Sequence, residues 1–90
     1  MKLFKFKYLG NRFDVICGNT EEEALAEYVA LGAIDHDSVD EIPRAKWKYH
    51  SMTIYNAPED EFPSGEYKSN YEEQMEGVTS AQLIATTELP

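Results

Sequence analysis

The chain has 90 residues, 42% of them hydrophobic, which predicts one domain with a single modest core over residues 1–90. Its 17 acidic and 8 basic residues give a formal net charge of −9, and such a surface repels nucleic-acid phosphates and attracts basic partners. One cysteine and two histidines exclude an internal disulfide and a four-ligand structural zinc site. No apolar run approaches the roughly 18 residues of a membrane span, and the opening MKLFKFKYLGNR is not typical of a signal peptide. We therefore predict a cytoplasmic protein without metal or cofactor.

The first predicted element is a β-hairpin over residues 3–17. Two alternating runs, FKFKY and FDVIC, flank the pair Gly10-Asn11, which is typical of a two-residue hairpin turn because both positions tolerate positive φ. A turn centred on that pair places Phe6 opposite Val15 and Lys7 opposite Asp14. Since opposed residues share a face, the pattern predicts one apolar, aromatic face and one charged face.

A helix is predicted over residues 20–31. Thr20 and Glu23 have the spacing of a capping box, and Gly32 is suited to end the helix in a left-handed conformation. An apolar stripe at helical spacing should pack on the aromatic face of the hairpin. Its members are Ala24, Leu25, Tyr28, Val29 and Leu31.

The next segment begins with an acidic connection and contains the one tryptophan. Residues 39–42 predict a short strand that Pro43 ends, and a short helical turn follows over 44–47. Trp47 lies within the basic cluster Arg44, Lys46 and Lys48. This pattern is open to three interpretations: stacking on a nucleotide, anchoring a protein interface, or covering an edge of the core.

A third strand is predicted at about 49–55, with Met52 and Ile54 inward, and a long acidic loop follows over 56–68. The loop carries prolines and glycine, and its acids do not have the calcium-loop spacing. An acidic loop with apolar residues is the pattern expected where a loop docks onto a partner. The predicted partner-binding residues are Trp47, Glu59, Asp60, Glu61, Phe62, Glu66 and Tyr67.

The last elements are a short helix over 70–76 and a strand at about 82–87. Ser69 and Glu72 have capping-box spacing, Gly77 is suited to end the helix, and LIATT is a β-prone run. The predicted fold class is α+β. It has a small antiparallel sheet starting with the N-terminal hairpin, one main helix packed on its face, a short second helix and a C-terminal strand.

No recognisable catalytic motif is found in the sequence. It has no Gly-rich phosphate loop, nucleophile elbow, His-Glu-x-x-His or paired-carboxylate motif, and His50 has no nucleophile or carboxylate in a known pattern around it. Asp35-His36-Asp37 is interpreted as a solvated acidic loop rather than a metal site. We therefore expect the protein to act by binding rather than catalysis.

Four stretches together resemble small uncharacterised bacteriophage accessory proteins: KLFKFKYL, FDVICGNTEEEALAEY, DEIPRAKW and LIATTELP. The resemblance implies a protein that binds and blocks a host component, such as a nuclease, a defence effector or a transcription factor. The basic residues are confined to 2–12, 44–48 and position 68, which departs from the uniform negative coat of a DNA mimic.

The functional prediction is a non-enzymatic, acidic, phage-type protein that binds and inhibits or modulates a host protein with a basic surface, without direct nucleic-acid binding. One alternative is a sponge that sequesters a small nucleotide signal through Arg44, Lys46, Trp47 and Lys48. Another is a virion or structural component. Whether the chain forms a homo-oligomer is left open by the sequence.

Overall fold

The computed structural model describes residues 1–32, 35–55, 59–61 and 63–87. Its elements in chain order are β1 (Lys2–Tyr8), β2 (Arg12–Gly18), α1 (Glu21–Ala30), β3 (Ser38–Ile42), a 3₁₀ helix (Arg44–Tyr49), β4 (Ser51–Tyr55), β5 (Glu66–Asn70), α2 (Tyr71–Gln74) and β6 (Gln82–Thr86). The predicted α+β class is confirmed, with the N-terminal hairpin, the main helix, the short second helix and the C-terminal strand.

The strands form two antiparallel sheets rather than one. The main sheet has the order β3-β1-β2-β6, and β4 pairs with β5 in a separate two-stranded sheet. β5 was not predicted, because its first residues were assigned to the acidic loop 56–68. That assignment is wrong for 66–68, which pair with β4 in the register Thr53↔Lys68.

The predicted register of the first hairpin is wrong by one residue. Tyr8 pairs with Arg12, so the loop has three residues, and its left-handed positions are Leu9 (φ 44°) and Gly10 (φ 75°) rather than the predicted pair. Phe6 consequently lies opposite Asp14 instead of Val15. A slip of one residue moves every side chain of a strand to the other face, because the side-chain period is two.

Both faces of the main sheet are therefore buried, and the predicted single apolar face is wrong. The cluster beneath α1 contains Phe4, Phe6, Ile16, Ala24 and Tyr28. The cluster on the opposite face contains Leu3, Val15, Cys17, Ile42, Trp47 and Tyr71. The 3₁₀ helix, β4 and α2 contribute to this second cluster, so the sheet is the middle layer of the molecule.

A β-bulge adapts β6 to the second cluster. The register between β2 and β6 shifts between Val15 and Ile16, which leaves Ile84 without a Cα partner. Ile84 and Ala85 both pack against the second cluster, although consecutive residues of a regular strand would face opposite ways. The bulge therefore lets this edge strand place two apolar side chains in the same core.

One of the two predicted helix caps is confirmed and the other is displaced by one residue. Thr20 caps α1, its hydroxyl accepting a hydrogen bond from the backbone N–H of Glu23 at 3.1 Å, as predicted. α2 begins one residue later than predicted, because its cap is Asn70, whose side-chain oxygen accepts from the N–H of Glu73 at 2.9 Å. Ser69, the predicted cap, is instead a buried residue of β5.

Candidate functional site

Trp47 lies in the core rather than on the surface. Only 5% of its surface is exposed, and its indole Nε1–H donates a hydrogen bond to the carbonyl oxygen of Ile42 at 3.0 Å. It belongs to the same cluster as Leu3 and Tyr71. Of the three interpretations of the sequence, this geometry favours a tryptophan that covers an edge of the core. Its role as a partner anchor stays a prediction.

The basic residues around Trp47 do not gather at one point. A 3₁₀ helix has three residues per turn, so Arg44 lies on the same side as Trp47. The guanidinium carbon of Arg44 is 4.5 Å from the centroid of the indole ring, and its Nη1 is 3.4 Å from Oε2 of Glu72. Lys46 is exposed, and Nζ of Lys48 lies 5.1 Å from the ring centre of the tyrosine that follows it. These contacts do not test nucleotide binding, so the nucleotide site at Arg44, Lys46, Trp47 and Lys48 stays a prediction.

An open pocket of about 340 Å³ lies between the 3₁₀ helix and α2. Its apolar lining comes from Trp47, Met75, Val78 and Met1, and its charged lining from Arg44, Glu72 and Glu76. Arg44 and Trp47 were predicted as binding residues but neither glutamate was, since the two segments are far apart in the chain. We call this feature the Trp47 pocket.

The described residues of the predicted acidic loop are not among those that line the Trp47 pocket. Glu59, Asp60 and Glu61 are exposed, while Phe62 lies outside the described residues. Glu66 is exposed and Tyr67 is half-buried, both on β5. The β4–β5 register starts beside the 3₁₀ helix and α2 with Ser51↔Asn70, and runs four residues, or about 13 Å, before it reaches the loop. The predicted partner-binding residues are thus divided between two places.

The outer face of α1 exposes aliphatic residues that the sequence analysis placed in the core. Ala24 and Tyr28 are buried, but Leu25 is 37% exposed and Val29 is 57% exposed. The predicted stripe is therefore only partly right, because Ala24 and Tyr28 form the buried i, i+4 row while Leu25, Val29 and the 50% exposed Leu31 lie outside the core. Glu21, Leu25 and Val29 are successive members of one i, i+4 row and so share a side of the helix. We call this side, with Glu22 beside it, the α1 outer face.

Both histidines are engaged in ring contacts. The His36 ring lies edge-on to the rings of Phe6 and Tyr28, with centroids 5.6 and 5.7 Å away. The His50 ring stacks on Tyr71 with centroids 5.3 Å apart. Among the described residues, no group of three or more His, Cys, Asp and Glu side chains is placed to hold a metal ion.

Cys17 is buried and poorly suited to nucleophilic chemistry. Its thiol donates a hydrogen bond to the carbonyl oxygen of Ser80 at 3.3 Å. Burial raises the pKa of Cys17 above its ordinary value, because the charged thiolate loses solvation, and this outweighs the neighbouring backbone hydrogen bonds. The neutral thiol is therefore favoured at neutral pH.

Comparisons with known proteins assign no relative to the chain. No protein-family model matches it, and searches of curated proteins and of solved structures find no match. Within the part of the chain that the structure describes, no helix is long and apolar enough to cross a membrane.

Proposed function

We propose that this chain is a non-enzymatic protein that binds another protein through the α1 outer face. The observation that carries the proposal is the exposure of Leu25 and Val29 on a helix that packs on the sheet through Ala24 and Tyr28. Leu25 and Val29 are neighbours at i, i+4, and adjacent exposed apolar side chains favour an interaction site over isolated surface residues. The buried Cys17 and the ring contacts of the histidines support a binding role over a catalytic one.

The charge around this face favours a basic partner. Residues 13–43 contain nine acids and no basic residue, and Glu21 and Glu22 are exposed beside Leu25 and Val29. Carboxylates at the rim attract lysine and arginine and speed association, while the apolar centre supplies contact area. The fitting partner is therefore a protein surface with apolar residues bordered by basic ones. The more specific role of a phage-type inhibitor of a host factor stays a prediction.

Capture of partners from a bacterial lysate tests this proposal when a variant of the face is run in parallel. Leu25→Ser with Val29→Ser removes the apolar contact, and we expect it to lose a partner that wild type retains at low salt. High salt should release the same partner from wild type, because screening weakens the charged rim. Leu83→Ser is the matched control, since Leu83 is 38% exposed on β6. A wild type that captures nothing at low salt, or a double variant that captures the same proteins, would contradict the proposal.

Replacing Glu59, Asp60 and Glu61 together by serine tests the predicted steering role of the acidic loop. All three are exposed, so the melting temperature should be nearly unchanged. Association with a partner captured by wild type should become slower and less dependent on salt. Thermal unfolding by circular dichroism and binding kinetics at two salt concentrations measure the two effects. A variant that melts much earlier would show that the loop is structural, and unchanged kinetics would remove it from the binding surface.

A further inference from the structure

The Trp47 pocket lies on the opposite side of the main sheet from the α1 outer face. Trp47 belongs to the cluster of Leu3 and Val15, whereas α1 packs on the cluster of Phe4 and Ile16. Adjacent residues of a strand point to opposite faces, so the two surfaces are separated by the sheet. A group bound in the Trp47 pocket therefore lies on the opposite side of the sheet from a partner bound to the α1 outer face.

The fold holds two carboxylates at the mouth of this pocket. The Asn70 cap fixes the start of α2, which carries Glu72, and Glu76 follows one turn later. Gly77 has φ 76°, and this left-handed residue turns the chain so that the N–H of Val78 donates to the carbonyl oxygen of Met75 at 3.2 Å. Glu72 and Glu76 line the same pocket as the apolar side chains of Met75 and Val78.

The pocket already holds a guanidinium group, that of Arg44. It lies over the indole ring at 4.5 Å and beside Glu72 at 3.4 Å, which combines a cation–π contact with an ion pair. The Arg44 side chain is nevertheless 65% exposed and that of Glu72 is 44% exposed, so the pair is of the weak surface type. The Trp47 pocket therefore suits a planar cation, and it binds the guanidinium group of Arg44 only weakly.

The charge balance of the pocket leaves room for a second cation. Arg44 contributes one positive charge, and Glu72 and Glu76 contribute two negative charges. Glu76 makes no ion pair or side-chain hydrogen bond within the described part of the chain. The indole N–H donates to Ile42 and the ring is covered by Arg44, so an incoming cation reaches the ring only where it displaces the Arg44 guanidinium.

We propose that the Trp47 pocket binds the guanidinium group of an arginine side chain from a partner protein. The incoming group lies against the indole ring and pairs with Glu76 and Glu72, competing with Arg44 for the same surface. This goes beyond the function proposed above, because it adds a second recognition surface with a defined chemical preference.

Tryptophan fluorescence gives a direct test, since Trp47 is the single tryptophan of the chain. The probe is N-acetyl-arginine amide, and its neutral isostere N-acetyl-citrulline amide is the matched ligand control. We expect a saturable change with the arginine probe, at a dissociation constant on the order of millimolar for so small a ligand, and none with citrulline. No saturable change in wild type, or an equal change with both probes, would overturn the proposal.

Variants that change the charge of the pocket test which residues bind the ligand and whether the ligand is a cation or an anion. Glu72→Gln with Glu76→Gln should weaken binding of the arginine probe about tenfold or more, whereas Glu59→Gln with Glu61→Gln removes the same charge elsewhere and should change it little. Arg44→Ala should strengthen binding, because it removes the internal competitor, while Lys46→Ala should have a much smaller effect. If Arg44→Ala instead weakens binding of the arginine probe, the proposal fails.

Two further measurements separate the alternatives. Adenosine monophosphate used as the probe should leave the fluorescence unchanged; saturable binding that Arg44→Ala abolishes would show an anion site and overturn the arginine preference. Leu25→Ser with Val29→Ser should leave arginine binding intact. A result that contradicts partner binding through the α1 outer face is therefore distinguishable from one that contradicts arginine binding in the Trp47 pocket. Circular dichroism of each variant confirms that it is folded.

Discussion

Replacing Phe6 by alanine is expected to unfold much of the protein population. Phe6 has no exposed surface, and its ring stacks on that of Tyr28 with centroids 4.5 Å apart and planes 10° from parallel. Emptying a packed phenylalanine site costs about 3–5 kcal/mol of unfolding free energy. A domain of this size has about 5–15 kcal/mol in total, nearer the low end for a short chain. Urea unfolding followed by circular dichroism measures the loss.

Lys7→Ala is the matched control on the neighbouring position of β1. Lys7 is exposed and lies opposite Phe13, on the other face of the sheet from Phe6. Removing its side chain should cost less than about 1 kcal/mol, as is usual for an exposed charged residue. Equal losses for the two variants would mean that the faces of β1 are not as the structure has them.

Local signals in the sequence predicted the elements well. The caps of the helices, the glycines that end them and the alternation of β1 each act over a few residues, so they can be read without knowing the fold. The hydrogen bond from the N–H of Glu23 to Thr20 and the positive φ of Gly32 and Gly77 confirm the cap of α1 and the glycines that end both helices, whereas the predicted Ser69 cap of α2 is wrong. The short strand before Pro43 is confirmed as well.

The register of the first hairpin could not be fixed by alternation alone. Val15, Ile16 and Cys17 are all fully buried, because β2 is covered on both faces. When a strand is buried on both faces, either register buries its apolar residues, so the loop determines which register forms. Here the loop has Leu9 rather than Asn11 in a left-handed conformation. The prediction of one apolar and one charged face depended on a single buried face.

β5 was missed because its sequence, EYKSN, has little apolar character. It is extended because β4 supplies a partner, in the register Ile54↔Tyr67, and because Ser69 is buried at its end. Such pairing is a tertiary effect, and tertiary context overrides strand propensity. The Trp47 pocket was missed for a related reason, since Glu72 and Glu76 reach Arg44 only through the packing of α2 on the 3₁₀ helix.

The apolar residues of α1 show that helical periodicity does not predict which of two adjacent apolar rows is buried. Leu25 and Val29 are larger than Ala24, yet Ala24 faces the sheet, and a Cβ on Gly18 would lie only 3.0 Å from its backbone N. The close approach of α1 to β2 at this point needs glycine at position 18, and the small Ala24 is the helix residue that lies there. The sequence alone predicted the stripe but not which of its rows would be buried.

Replacing Trp47 by alanine should destabilise the protein about as much as Phe6→Ala. Trp47 is 5% exposed within the second cluster, and its loss leaves a cavity and removes the hydrogen bond to the carbonyl of Ile42. Truncation of a buried tryptophan costs about 3–5 kcal/mol, and the lost hydrogen bond adds to it. Urea unfolding followed by circular dichroism measures the effect, since the variant has no tryptophan fluorescence.

Trp47→Phe separates the ring from the hydrogen bond. It retains most of the aromatic packing and removes the indole N–H, so we expect an intermediate loss of about 1–2 kcal/mol, comparable to one buried hydrogen bond. A tryptophan that served only as an interface anchor would be dispensable in the free protein, and alanine would then leave the unfolding midpoint unchanged. The indole is held by its hydrogen bond to Ile42 and covered by Arg44, so Trp47 is a core residue of the free protein. The pocket beside it therefore exists only while that core is intact.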